Sequence, residues 1–163
     1  MKRLALIAAL LTLPAAPLRA EPPAKITVRQ AISLAQALRN LDGHMTVIKQ
    51  NGADQTIMIP WEFGSGSLRL RIANDLSIAA AVEASFETAR KAVIKEIGGA
   101  ATPNPGTPEY EALLKQMNDV LDQPAGGAQD LARIKASELK LDKNEIPITV
   151  LTALEPILDN DVK

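Results

Sequence analysis

The chain is predicted to fold as an α+β domain that is mainly α, with about four helices packed against one β-hairpin. Apolar residues recur at steps of three and four over several separate segments, which is the spacing of amphipathic helices. After the first of these segments, an Asn-Gly pair separates two runs rich in alternating apolar residues, which is the strongest short-range signal of a hairpin.

The N-terminal segment is predicted to be a secretory signal peptide. Lys2 and Arg3 precede an uncharged apolar run, Leu4 to Leu13, and Ala20 offers a small residue at a cleavage point. The run is shorter than the roughly 20 apolar residues that span a bilayer. The alternative is a hydrophobic helix that packs on the domain.

The domain organisation follows from this leader. We expect residues 1–20 to be removed, residues 21–26 to form a flexible lead-in, and residues 27–160 to form a single globular domain. The expected location is the periplasm or the outside of the cell, and the Ala-rich leader is bacterial in style. No later apolar run approaches spanning length, so stable membrane insertion after cleavage is not expected.

Composition argues against several classes of function. The 18 Lys and Arg residues face 19 Asp and Glu residues, and losing Lys2, Arg3 and Arg19 with the leader leaves 15 against 19, a net charge of −4. This acidic balance disfavours nucleic-acid binding. The chain is cysteine-free, so it forms no disulfide and carries no lipid-modified cysteine. Only four aromatic residues are present, which argues weakly against sugar-binding or base-stacking platforms.

The first helix is predicted to begin at Thr27. The Thr27 hydroxyl and Gln30 form a capping-box pattern, with Ile26 placed as the hydrophobic staple. An apolar stripe follows, made of Ile32, Ala35, Leu38 and Leu41. Asp42-Gly43 is expected to end the helix through a left-handed residue.

The hairpin is predicted over residues 44–63, with Asn51-Gly52 as a two-residue turn. This turn sets the expected cross-strand pairs, which are Lys49 with Asp54, Val47 with Thr56, and Met45 with Met58. The other face is expected to be buried and carries Ile48, Ile57, Ile59, Trp61 and Phe63. Pro60 places the second strand at an edge or close to its end.

A long central helix is predicted over residues 67–97. Its apolar positions keep helical spacing from Ile72 to Ile97, and Asn74-Asp75 is the expected place for a break into two helices. On the polar side, Glu87 and Lys91 are one turn apart and favour an ion pair.

Two further helices are predicted in the C-terminal half. Thr107-Pro108 is a strong helix start, and a last helix over residues 147–158 is expected to kink or end near Pro156. Residues 130–141 fit either a short strand with a turn or a poor helix. A strand near 130–135 would extend the hairpin.

Sites for metals, cofactors and catalysis are not predicted. His44 is the only histidine, and the calcium-loop resemblance at residues 142–145 breaks down where Ile146 and Pro147 occupy ligand and glycine positions. His44 is expected to be structural rather than catalytic. Glu83 and Glu87 lie one turn apart on the face of the long helix that we expect to be solvated.

The best candidate for ligand binding is the start of the long helix. Ser65 and Ser67 lie among flexible glycines, Arg69 and Arg71 follow, and free amides at a helix N-terminus attract anions. The competing interpretation is a joint at which Ser67 caps the helix. Trp61 is a candidate partner anchor, although its place in the apolar alternation favours core packing.

Taken together, the sequence favours a non-enzymatic exported protein that acts by binding, as an adaptor, chaperone-like or structural component of the periplasm. The expected partner is another protein, or a second copy bound through a helical face. The alternative is a binder of small anions, or a hydrolase, that uses the segment from Ser65 to Arg71. The partner site would be an apolar strip that the domain leaves uncovered.

Overall fold

The computed structural model describes residues 25–97 and 101–161, and the predicted signal peptide lies outside these residues. The fold is α+β and mainly α, as predicted. The four helices are α1 (Val28–Arg39), α2 (Gly66–Ile97), α3 (Pro108–Leu121) and α4 (Ile148–Leu154). The strands are β1 (Gly43–Gln50), β2 (Ala53–Pro60), β3 (Ile134–Lys135) and β4 (Leu158–Asp159).

Helix α1 begins as the sequence predicts. The Thr27 hydroxyl accepts a hydrogen bond from the Gln30 backbone N–H, and the Gln30 side chain accepts one from the Thr27 N–H. The predicted end is wrong. The helix stops at Arg39, with Asn40 as its C-cap, and Gly43 already belongs to β1. The short connection allows the chain to leave the helix and enter the hairpin within a few residues.

The hairpin has the predicted register. Asn51 and Gly52 both take positive φ, 53° and 80°, which is the backbone of a primed two-residue turn. The three expected pairs are confirmed, and pairing continues to Gly43 opposite Pro60. Strand β2 ends at Pro60, as expected.

The expected burial of the second hairpin face is wrong for most of its length. Trp61 is buried and Phe63 is half-buried, but both lie beyond β2. Within the strands, Ile48 and Ile59 are exposed and Ile57 is half-buried. The physical reason is that the helical body covers only the segment after the hairpin, so the strands extend away from the core.

Helix α2 runs unbroken for 32 residues, so the predicted break at Asn74-Asp75 does not occur. Asp75 is buried, and its carboxylate accepts a hydrogen bond from the Ala132 backbone N–H at 2.9 Å. This partner, distant in sequence, lets an acidic residue lie inside a continuous helix. Ser67 lies within the first turn, because the helix begins at Gly66, so it is not the cap residue.

In the C-terminal half the helices begin where the sequence predicts, but the predicted extension of the hairpin does not occur. Thr107 caps α3 through the Tyr110 N–H, and α4 gives way to a 3-10 turn, Glu155–Ile157, at the predicted proline. Residues 128–139 combine two 3-10 turns with the two-residue strand β3. This strand pairs in parallel with β4, so it does not extend the hairpin.

The main core lies between α1, the first half of α2 and the C-terminal segments. Leu34 and Leu38 of α1 are fully buried, as are Leu68, Leu139 and Ile157. Each such side chain contributes roughly 1.5–3 kcal/mol on burial. A second cluster, made of Ile94, Leu113 and Met117, joins the far end of α2 to α3. None of the helices in the two described ranges combines the length and hydropathy that crossing a bilayer requires.

Candidate functional site

The predicted ligand site at the start of α2 is occupied by contacts within the protein. The Ser65 and Ser67 hydroxyls lie 3.1 Å apart, and the Ser65 hydroxyl donates to Glu138 at 3.3 Å. The Gly64 backbone N–H also donates to the Glu138 carbonyl, at 2.8 Å. These bonds attach the segment before α2 to the C-terminal half of the chain.

The two arginines of this segment serve different partners. Arg69 donates to the Trp61 carbonyl at 2.8 Å, and its guanidinium carbon lies 5.0 Å from the centre of the Phe63 ring. Arg71 donates to the Arg133 carbonyl at 2.8 Å and forms an ion pair with Glu138. Arg69 therefore holds the segment after the hairpin, and Arg71 holds the segment around β3. Binding of an anion by both arginines remains a prediction.

Glu138 is the shared acceptor of this cluster. Partial burial opposes its ionisation, but hydrogen bonds from Arg71, from the Lys135 N–H and from Ser65 outweigh that effect and lower the pKa of the carboxyl. A carboxylate that is already matched by these donors serves as a structural anchor.

Asp75 lies in the core with Arg71 as its charged neighbour. Burial raises its pKa, although the hydrogen bond from Ala132 and the positive charge of Arg71 both oppose the rise. One carboxylate oxygen, Oδ2, is buried with no hydrogen-bond partner. The structure thus brings Arg71 near the Asp75 carboxylate, whereas Arg69 is turned toward Trp61 and Phe63.

Trp61 lies directly after β2 and packs between the hairpin and the helices. It is buried, its indole N–H donates to the Asn40 carbonyl at 3.1 Å, and its ring lies 4.5 Å from the ring of His44. Core packing, the favoured interpretation of this tryptophan, is therefore confirmed. His44 lies on β1 and is exposed.

The helix-face carboxylates pair with arginines. Glu83 forms an ion pair with Arg39 of α1 at 2.5 Å, and Glu87 lies 3.5 Å from Arg90. The prediction that Glu87 pairs with Lys91 is therefore corrected, because the described ion pair joins residues three apart. Over residues 25–97 and 101–161, no three side chains of the His, Cys, Asp and Glu types cluster as a metal site would require.

The feature that sequence reasoning missed is the exposed apolar surface of the hairpin. Five large apolar side chains of the two strands are between 36% and 62% exposed. They are Met45, Val47 and Ile48 on β1, and Met58 and Ile59 on β2. We call these five residues the hairpin patch. Its sequence signal was the presence of adjacent apolar residues, Val47-Ile48 and Ile57-Met58-Ile59, which places apolar groups on both faces of a strand pair.

The patch occupies the middle of the hairpin rather than its tip. Residues 50–55 at the tip read Gln-Asn-Gly-Ala-Asp-Gln, and all six are exposed. Lys49 and Asp54 face each other just before the turn. The hairpin therefore has a polar end and an apolar middle on a two-stranded sheet whose outer edges pair with no other named strand of the described chain.

The helices offer a second apolar feature. A cleft of about 420 Å³ lies where α2 approaches α1 and α3, and Val82, Phe86 and Val120 are among the residues that line it. The cleft lies among the helices, and the sequence predicts a partner or a second copy on a helical face without specifying which one. A partner on that face remains a prediction.

The chain matches no family model, no curated protein and no solved structure.

Proposed function

We propose that this protein acts without catalysis, as an exported binding, adaptor or structural component of the bacterial envelope, and that it contacts its partner through the hairpin patch. The observation that supports the proposal is the concentration of five exposed large apolar side chains on one projecting element. Met45, Val47 and Met58 lie on one face of the hairpin, and Ile48 and Ile59 lie on the other. Clusters of exposed apolar side chains of this kind mark interaction sites in globular proteins.

Covering the patch would contribute favourably to association. Full burial of one such side chain contributes roughly 1.5–3 kcal/mol, and Met45, Val47 and Met58, which share a face, are each more than half exposed, so covering that face contributes on the order of 3 kcal/mol. Main-chain hydrogen bonds at the open strand edges would add directionality to this contact.

The placement of the patch favours a protein partner over a lipid surface. A hairpin that inserts into a bilayer needs an apolar leading end, because unsatisfied polar groups are costly in hydrocarbon. Here the leading end carries Asp54 and two glutamines, while the apolar residues lie behind it. A polypeptide that lies along the strands contacts one face of the patch and leaves the polar tip in water.

The test is site-specific photocrosslinking in the native host. A photoreactive amino acid replaces Met58 on the patch, and a matched control replaces Leu70, which is 75% exposed on α2. We expect a discrete crosslinked adduct from position 58 and none from position 70. Equal labelling from both positions, or no adduct from position 58, would contradict the proposal.

A further inference from the structure

The two edges of the hairpin differ in their ability to pair with another strand. The two-residue turn makes Gln50 and Ala53 the first hydrogen-bonded pair, and bonded and non-bonded pairs then alternate along the register. Outward-pointing backbone groups therefore belong to the non-bonded pairs. On β1 these are Gly43, Met45, Val47 and Lys49, and on β2 they are Asp54, Thr56, Met58 and Pro60.

Strand β2 is protected at its outer edge. Pro60 has no N–H to offer, whereas a charge next to the turn, Asp54 on β2 and Lys49 on β1, is common to both strands. Strand β1 presents four outward N–H donors in a row, with no proline among them, and its one outward charge, Lys49, lies at the end next to the turn. Its pairing with β2 is unbroken over all eight residues, so no bulge turns the edge away. An eight-residue edge of this kind is a template for strand pairing.

We infer that the occupant of this edge is a second copy of the same chain, whose β1 pairs antiparallel with β1 about a two-fold axis. The inference rests on the proposed function, since it names the partner of the hairpin patch. A two-stranded hairpin alone is marginally stable in water, and a four-stranded sheet removes that weakness. In such a sheet the protected β2 strands form both outer edges.

One register satisfies every outward group on β1. With the two-fold axis beside Thr46, Met45 lies opposite Val47 of the second copy, and Gly43 lies opposite Lys49 of the second copy. All four outward residues then form bonded pairs, and no two like charges face each other. Met45 and Val47 of the two copies lie side by side on one face, and Met58 of each copy lies on the same face of the outer strands, because pairs aligned across strands share a face. The interface is thus self-complementary in hydrogen bonding, apolar surface and charge, as a two-fold dimer requires.

The absence of cysteine makes this geometry directly testable. In the hairpin Thr46 forms a hydrogen-bonded pair with Ile57, so its backbone N–H and C=O point toward β2. Across the two-fold axis, Thr46 of one copy therefore lies opposite Thr46 of the other copy as a non-bonded pair. Cα atoms in such a pair are about 4.5 Å apart, within the range that a disulfide spans. The variant Thr46→Cys is therefore expected to form a disulfide-linked dimer under mild oxidation. The control Gln55→Cys, on the protected strand, is expected to remain largely monomeric.

A second pair of variants tests the edge itself. Val47→Pro removes an outward N–H from β1, and Thr56→Pro removes the outward N–H of the residue directly opposite, on β2. Neither change takes a donor from the ladder between β1 and β2. By sedimentation at about 100 µM, we expect the wild type and Thr56→Pro to be dimers and Val47→Pro to be a monomer. If circular dichroism shows that a proline variant is unfolded, the variants Val47→Lys and Thr56→Lys are used in place of the two proline variants.

The outcomes separate the inference from the proposed function. A monomeric wild type, equal crosslinking of both cysteine variants, or a folded Thr46→Cys protein that does not crosslink would overturn the inference. If position 58 then crosslinks to a different polypeptide, the hairpin still binds a partner and the proposed function stands. An adduct of twice the chain mass supports both.

Discussion

The carboxylate of Asp75 accepts a hydrogen bond from the Ala132 backbone N–H at 2.9 Å, which joins the N-terminal third of α2 to a segment 57 residues away. The same side chain is fully buried and leaves its second oxygen without a partner. This contact joins α2 to the C-terminal segments alongside the bonds of Arg71 to Arg133 and Glu138, at the cost of holding a carboxyl group in the core.

Asp75 is expected to make stability depend on pH. Because burial raises its pKa, the folded protein binds a proton more readily than the unfolded chain does. This stabilisation is fully present below the unfolded pKa, near 3.8, and is lost as the pH rises through the raised folded pKa. Asp75→Asn should therefore stabilise the protein at pH 7.5 by about 1 kcal/mol, because it keeps the acceptor and removes a buried charge.

Urea denaturation at pH 4 and pH 7.5 checks this expectation. The advantage of Asp75→Asn over the wild type should shrink at the lower pH. The control Asp130→Asn changes an exposed carboxyl group and should shift stability by less than about 0.5 kcal/mol. A loss of stability in Asp75→Asn of the same size at both pH values would contradict the role assigned to burial.

Arg71→Met is expected to lower the free energy of unfolding by about 1–3 kcal/mol. The substitution removes the hydrogen bond to the Arg133 carbonyl and leaves the partly buried Glu138 without its cation. Since the pKa of Glu138 is lowered in the folded protein, the stabilisation is present above its unfolded pKa and fades as the pH falls through the lowered value.

The matched control is Arg90→Met, which breaks an exposed pair with Glu87 and should cost at most about 0.5 kcal/mol. Chemical denaturation at neutral pH and near pH 3 compares the variants, and equal losses for Arg71→Met and Arg90→Met would refute the assignment.

Asn144→Ala is expected to destabilise the protein by about 2–4 kcal/mol. The Asn144 side chain is buried, accepts from the Glu62 N–H at 3.1 Å, and donates to the Glu62 and Leu139 carbonyls at 2.7 Å each. Its removal leaves three backbone groups without their partner. Asn74→Ala, at an exposed position on α2, is the control and should be close to neutral. Thermal unfolding followed by circular dichroism measures both, and a near-neutral Asn144→Ala would show that water replaces these bonds.

Two glycine substitutions should act in opposite directions. A Cβ atom at Gly43 would lie 2.9 Å from the Pro60 Cα and still closer to the Ile59 carbonyl oxygen, so Gly43→Ala must distort the base of the hairpin. We expect a loss of about 1–3 kcal/mol in the free energy of unfolding from this overpacking.

At Gly66 a Cβ would meet nothing within 4 Å, so Gly66→Ala should stabilise the first turn of α2 by about 0.4–1 kcal/mol. Fluorescence of Trp61, the only tryptophan, follows both unfolding transitions. Stabilisation by Gly43→Ala would show that the strands separate freely.

The sequence by itself determined the local elements. The Thr27–Gln30 capping box, the Asn51-Gly52 turn with its register, and the Thr107-Pro108 helix start all appear where they were predicted. Each depends on atoms within a few residues, or on a turn that sets every later pair, so short-range chemistry is sufficient to specify it.

Only the tertiary structure decided what those elements touch. The alternation around Ile48 and Ile59 is the same whether a core covers that face or water does, and here the helices pack elsewhere. Likewise, Asp75 breaks the apolar pattern of α2 in the sequence but not the helix, because Ala132 supplies a donor from a distant segment. Long-range packing selects which apolar faces are covered and which polar groups find partners, and for this protein that selection leaves the hairpin as the surface on which function is proposed.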